Sequence, residues 1–326
     1  MVKAIRFHEF GGPEVLKWED IDIGDPGPSE LRVRHSVIGF NFLDAHVREG
    51  KYPVLPELPA VPGAEAAGVV EAIGDGVEGF SVGQRVGYAA GFSGAYSEAR
   101  LLEAKHAVAL PDAISDEDAA AGLLKGMTVE YLINRCYPVN VGEFALVHAA
   151  AGGVGLYMCQ WLKSLGVTVI GTTTSDEKKE LILANGAAVA VNSRSEDITE
   201  IAREVSGGEG VHVVYDSVGP DVWSASIDAL RPRGYYVNFG NASGVLKPID
   251  AIELQMHGSL FFTKASMRYY HLTRQEVENA AASLFEVMAS GAVKSVIGQR
   301  YALADAAQAQ IDIVERRTTG STVLTL

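Results

Sequence analysis

The stretch FALVHAAAGGVGLYMCQWLKSLG, residues 144–166, limits the folds open to this chain more than any other. Strand-forming residues from Phe144 to His148 pass through a turn of small residues into an amphipathic helical pattern from about Gly155 to Leu165. In a unit of that order the first helical turn aims unpaired amides and the positive end of its dipole at whatever lies before it, and a pyrophosphate is the ligand that suits it. Such turns usually read G-x-G-x-x-G, and here Ala150, Gly152 and Gly155 hold the three positions. Ala150 needs only an ordinary φ, Gly152 and Gly153 let backbone approach the phosphates, and Gly155 permits close helix packing. Without its flanks the octapeptide would read as a tight turn between packed elements. With them it reads as a dinucleotide site contacted by Ala151, Gly152, Gly153 and Val154.

The pattern repeats downstream. Strands are expected at Val167–Gly171, Ala188–Val191, Val211–Tyr215 and Tyr235–Phe239, separated by helices at Asp176–Ala184, Glu196–Val205 and around Val222–Leu230. Strands spaced by helices of that length indicate a doubly wound parallel sheet. Residues up to about Lys105 are instead rich in Gly and Pro, with short alternating segments such as Leu31–Ile38, Ala67–Ile73 and Gln84–Tyr88, the texture of an all-β unit. Ser115 is placed to cap the helix that begins DEDAAAGLL. The terminal STVLTL is strand-like, and if the β-rich unit needs it, the parallel unit is an insertion. The expected division is 1–124 with 262–326 for the β-rich domain and 125–261 for the parallel one.

The end of the second strand bears on which dinucleotide is bound. NAD sites place an Asp or Glu there for the ribose hydroxyls. The sequence VTVIGTTTSDEKK has no acid until Asp176 and offers Thr174, Ser175 and Lys178, with Arg194 after the third strand as a second cation. That set suits a 2′-phosphate and favours NADPH, the alternative being that Ser175 only caps a helix and Lys178 is a solvated charge. Strand ends four and five carry DSVG and FGNASG, which bring Ser217, Val218, Phe239 and Gly240 to the edge where open α/β sheets bind ligands.

Charge excludes other roles. With 27 Lys and Arg against 41 Asp and Glu, the 326-residue chain has a formal charge of −14, which repels nucleic acid and anionic lipid. Two cysteines, Cys136 and Cys159, are too few for a disulfide framework and point to a reducing compartment, the cytoplasm. No stretch approaches the roughly 18 apolar residues of a membrane span. The histidines show no ligand spacing, and Cys159 is expected to pack as a small hydrophobe.

Taken together with GFNFLDAHVREGKYP, LPAVPGAEAAGVVEAIGDGV, KGMTVEYLI and RRTTGSTVL, these motifs resemble the medium-chain dehydrogenase/reductase superfamily, and within it the zinc-independent quinone oxidoreductases similar to zeta-crystallin. The resemblance runs almost end to end. It implies an α/β chain with a GroES-like β-rich catalytic domain and a Rossmann domain. Zinc-dependent relatives have a cysteine near Gly39-Phe40-Asn41 and a histidine where this chain has Ala64, and their cysteine-rich loop is absent here. Without a metal to polarise an alcohol, the expected reaction is transfer from NADPH to an acceptor already electrophilic, a quinone or an enone.

The resemblance also places Asn41, Asp44 and Tyr52 in the segment that lines the acceptor pocket. Asn41 and Tyr52 can donate to an acceptor oxygen as charge develops, while Asp44 reads as a structural acceptor. It matches Thr128 to a threonine at the nicotinamide end and Arg316 to an arginine near the cofactor phosphates, with Arg317 leaving that register open by one. Two departures stand out: Ser193 replaces a tyrosine of the family, and Thr263-Lys264-Ala265 stands where relatives read Thr-Arg-Pro, giving a lysine the arginine's role. NADPH:quinone reduction, by hydride or single-electron steps, is the expected activity. Enone, alkenal or enoyl-thioester reduction is the alternative, and a crystallin-like structural or regulatory cofactor binder is the alternative of another class. Relatives pair as homodimers through an edge strand, for which Gly258–Ser266 is apolar enough.

Overall fold

The structure is a computed structural model that describes residues 1–326. The chain forms two compact units, Met1–Met127 with His271–Ala289 and Ser295–Leu326, and Thr128–Tyr270 with Ser290–Lys294.

The first unit is built on a seven-stranded sheet whose central strand, Glu30–Phe40, pairs with Glu65–Ile73, Ala99–Glu103 and Ser321–Thr325. Alternation explains the central strand: Leu31, Val33 and His35 point into the core, while Arg32 and Arg34 face outward and pair with Glu71 on the next strand at 3.1 and 2.8 Å. Each fully buried aliphatic there contributes about 1.5–3 kcal/mol relative to exposure. The strand Ser321–Thr325 lies between Ile297–Ala302 and Glu30–Phe40, so the terminal strand does complete the β-rich sheet. Ser115 Oγ accepts from the Asp118 amide at 3.0 Å and caps the helix Asp116–Tyr131, as its position in the sequence suggests.

The second unit is a six-stranded, wholly parallel sheet. Its strands are β1 (Phe144–Val147), β2 (Thr168–Thr173), β3 (Val189–Asn192), β4 (Val211–Asp216), β5 (Leu230–Asn238) and β6 (Phe261–Lys264), in the order β3-β2-β1-β4-β5-β6. Helices α1 (Gly153–Ser164), α2 (Lys179–Ala184), α3 (Ile198–Val205) and α4 (Trp223–Ala229) provide the crossovers. This is the doubly wound arrangement in which ligands bind beyond the carboxyl ends of the strands near β1 and β4.

Boundaries differ from the sequence reading at two informative places. Helix α1 starts at Gly153, so Gly153 and Val154 belong to its first turn. Strand β5 begins at Leu230 rather than Tyr235, because the ladder with β4 continues past Pro232 and Gly234 with a register shift between Val211 and Val213. Cys159 is fully buried, and burial pushes its thiol up to about 12, the behaviour of a packed small hydrophobe. No helix is long and apolar enough to cross a membrane.

Candidate cofactor and acceptor sites

Beyond β1 the chain is fastened to the neighbouring strand, since the Ala150 amide donates to the Thr172 carbonyl at 2.8 Å. The left-handed residue of the turn is Ala149, with φ of 51°, at a cost of about 1 kcal/mol. Ala150 is not strained in this way, which is why alanine can stand at the first position of the motif. Gly152 is the N-cap of α1 in extended conformation, and the amides of Gly153, Val154 and Gly155 have no acceptor within the helix. A Cβ on Gly155 would lie 2.5 Å from the Ala149 carbonyl oxygen, so only glycine lets the helix pack this closely on the turn. The donor set therefore fits a pyrophosphate, with Ala151 buried behind it.

At the end of β2, Thr174 and Ser175 follow the last paired residue. Ser175 occupies an N-cap position in extended conformation, yet its side chain makes no capping bond and its hydroxyl pairs with the exposed Glu177, whose pKa it lowers. The first acid, Asp176, is committed: it accepts from Asn192 Nδ2 at 3.2 Å and faces Lys179 at 3.4 Å. The Ser193 hydroxyl turns inward to the Thr173 carbonyl, while Arg194 is exposed and its guanidinium pairs with no carboxylate. Arg194 is thus the cation at this edge with no carboxylate partner, and Lys178 ends the short helical turn that follows Ser175.

The ends of β4 and β5 are stitched together. The Phe239 amide donates to the Asp216 carbonyl at 2.8 Å, Ala242 to Ser217 at 3.1 Å and Ser243 to Val218 at 2.8 Å. A Cβ on Gly240 would meet the Ser217 carbonyl oxygen at 2.5 Å, so the loops touch backbone to backbone. Beneath them lies a polar network that sequence reasoning missed. Buried Asp216 accepts from Val218, Gly219, Tyr236 and Asn238, and Lys264 donates to Asn238, Gly240 and Asn241. His148 is buried between the Thr172 and Ser226 hydroxyls, and burial lowers its pKa to about 4, so it is neutral near pH 7. In sequence these are isolated polar residues in apolar strands, and their alternation gave the only signal. Thr128, also buried, lies in the helix Asp116–Tyr131.

In the first unit, Asn41 ends its strand and precedes the helix Phe42–Arg48. Asp44 Oδ2 accepts from the Asn41 amide and from the Tyr96 hydroxyl, both at 2.9 Å. Burial raises the Asp44 pKa to about 7, against the opposing hydrogen bonds from Asn41 and Tyr96. The side chain of Asn41 turns the other way, and its Nδ2 donates at 2.8 Å to Glu65 Oε1, which also accepts from Lys125 at 2.5 Å. The Leu124 amide donates to the other oxygen of Glu65 at 2.6 Å.

Glu65 and Lys125 were not singled out from sequence. A glutamate after Ala64 and a lysine in a helix each read as ordinary, and only their mutual burial reveals the pair. Tyr52 packs against Phe92 at 5.6 Å between ring centres in a small cluster with Phe7, Val47 and Ala60. Arg316 is exposed and left-handed, with φ of 61°, and the guanidinium of Arg317 is held by Asp312 at 2.9 Å.

Comparison with known proteins agrees with both halves. Residues 27–112 match the alcohol dehydrogenase GroES-like domain and residues 153–286 match the zinc-binding dehydrogenase domain. The chain is 46% identical to a quinone oxidoreductase of Pseudomonas aeruginosa, over 99% of both chains. It is 42% identical to a 2-haloacrylate reductase of a Burkholderia species, again over 99% of each. The crystal structure of Escherichia coli quinone oxidoreductase complexed with NADPH superposes with a TM-score of 0.96 at 44% identity, covering 99% of this chain and 100% of that one. The chain belongs to the quinone oxidoreductase family of the medium-chain dehydrogenase/reductase superfamily.

Proposed function

We propose that this protein is an NADPH-dependent quinone reductase that works without zinc. The choice of cofactor is carried by the edge beyond β2, where Asp176 faces Asn192 and Lys179 and the exposed Arg194 guanidinium, which pairs with no carboxylate, is available for a 2′-phosphate, with Ser175 and Lys178 as further candidate contacts. The E. coli relative whose structure superposes on this chain was crystallised with NADPH. When bound, NADPH supplies the hydride. Overall, NADPH, a proton and a quinone give NADP⁺ and a hydroquinone.

Metal-free action is supported by the donor set. Ala64 carries no ligand atom, and His, Cys, Asp and Glu side chains nowhere gather in groups of three or more able to hold a metal ion. The acceptor must then be electrophilic by itself, as a quinone is. In the β-rich unit, Glu65 fixes one N–H of the Asn41 amide, which leaves its second N–H as a donor toward a ligand. On the same reading Tyr52 is a further donor to the acceptor oxygen, Thr128 a contact for the nicotinamide end and Arg316 a contact for the cofactor phosphates. The compact units divide after Met127 and Tyr270 rather than at 124 and 261, since Phe261–Lys264 is a strand of the parallel sheet.

The 42% identity to a 2-haloacrylate reductase favours a second reading, reduction of an activated carbon–carbon double bond in the same site. Initial rates of NADPH and NADH oxidation against simple quinones and simple enones, with chelator present, separate the two. Chelator-insensitive turnover of quinones with NADPH is expected, turnover of enones alone would transfer the assignment to the second reading, and cofactor binding with turnover of neither would leave a binding protein.

A homodimer in the cytoplasm completes the proposal. Strand β6 pairs only with β5, and half-exposed Phe261 stacks on Tyr235 at 4.5 Å, an apolar edge suited to a second copy. The two free thiols suit a reducing compartment. Sedimentation showing a monomer would refute the dimer.

A further inference from the structure

The polar network under β4, β5 and β6 has no role in the reading above. Lysine has three ammonium hydrogens and no acceptor. Lys264 spends them on Asn238 Oδ1, the Gly240 carbonyl at 3.0 Å and Asn241 Oδ1 at 2.8 Å, so none is left for a cofactor phosphate. Asn238 passes the connection on, its Nδ2 donating to Asp216 Oδ2 at 2.7 Å. The other oxygen of Asp216 accepts from the Val218 amide at 2.6 Å and the Gly219 amide at 3.0 Å. One unbroken chain of hydrogen bonds therefore runs from the loop after β5 to the loop after β4, with a cation at one end and a carboxylate at the other.

We propose that Lys264, joined through Asn238 to Asp216, is a positioning residue that holds loops 217–219 and 239–241 in the conformation to which NADPH binds. The inference rests on the NADPH reading above. Lysine suits this place better than the expected arginine. Its compact ammonium can point three hydrogens at three converging acceptors, whereas a planar guanidinium aims its donors as a fork.

The energetics point the same way. Partial desolvation lowers the Lys264 pKa, although the residue remains exposed to water, and the Asp216 carboxylate opposes that shift only in part. A lysine whose folded pKa lies below its ordinary 10.5 makes the native state bind fewer protons than the unfolded chain as pH passes between the two values. Its charge thus costs stability below that window, and the cost is relieved as pH rises through it. What the charge contributes is order in the two loops. The titratable and polar groups around it are Asp216 from β4, Tyr236 and Asn238 from β5, Asn241 from the following loop, and His148 beyond Asp216. Lys264 donates to the Gly240 carbonyl and to Asn241 in the loop after β5, so its deprotonation removes a donor from that loop.

The test is a fluorescence titration with NADPH over a pH series, with thermal melts, on the wild type, Lys264→Met and Lys264→Arg. The expected result is NADPH affinity about tenfold weaker in Lys264→Met, the size of one charge-assisted hydrogen bond. Wild-type affinity should fall as pH rises through the lowered lysine pKa. Lys264→Arg, which stays charged, should lose that alkaline limb. Wild-type affinity in folded Lys264→Met would overturn the clamp, and so would an alkaline limb that persists in Lys264→Arg, which keeps the test decisive if the methionine variant does not fold. A wild type that binds no NADPH at any pH would overturn the cofactor reading and the clamp together, and is distinguishable from both other failures.

Discussion

The side chain of Asn41 is held by Glu65, across a 2.8 Å hydrogen bond to the same carboxylate oxygen that receives Lys125. The amide at the end of one strand is thereby oriented by an acid on its neighbour and a base on a helix, all three buried.

Removing one member of this trio should expose its cost. Lys125→Met leaves the Glu65 carboxylate buried without its cation and should destabilise the protein by about 3–5 kcal/mol in urea denaturation. The double variant with Glu65→Gln should recover much of that loss. Equal losses in single and double variants would show that the pair is not coupled.

Asp44 gives a pH dependence of defined sign. Its folded pKa of about 7 lies above the ordinary 3.8, so the native state holds a proton that the unfolded chain releases. This group's contribution to stability is therefore full below about 3.8, falls as pH rises to about 7 and is flat beyond. Asp44→Asn keeps an acceptor for the Asn41 amide and the Tyr96 hydroxyl and should abolish that slope. Melting temperatures across the window check it, and an unchanged slope in the variant would assign it elsewhere.

Arg194 should set cofactor preference. Its guanidinium is exposed and unpaired with any acid, so Arg194→Gln is expected to raise the KM for NADPH about tenfold while leaving that for NADH unchanged. Steady-state kinetics with both cofactors reads this directly. A parallel rise for both would place the residue outside the 2′-phosphate site.

Gly155→Val should abolish cofactor binding by displacing the start of α1, because a side chain there collides with the Ala149 carbonyl that the helix start packs against. Fluorescence titration with circular dichroism separates the two effects. Normal NADPH affinity would remove the turn from the site.

Tyr52→Phe should lower kcat for quinone with little change in the KM for NADPH, as loss of a donor to the acceptor oxygen requires. A change confined to the KM for NADPH would make Tyr52 a cofactor contact instead.

Local pattern by itself determined the two architectures and the phosphate turn. Alternation in Glu30–Phe40 and the strand, turn and helix of residues 144–164 depend on residues a few positions apart, which a chain carries in its order. Absence was legible as well, since Ala64 cannot become a ligand however the chain folds. Tertiary structure alone decided which polar residues act together. Glu65 and Lys125 are 60 positions apart, and Asp216, Asn238 and Lys264 come from three strands; nothing in spacing marks them as partners. Each is an ordinary surface residue by type; burial commits Glu65 and Lys125, and likewise Asp216 and Asn238, to each other, and converging acceptors commit the more exposed Lys264. Asp176, the first acid after β2, could likewise be judged only from the fold, which sets it beside Asn192 and Lys179 although it stays exposed.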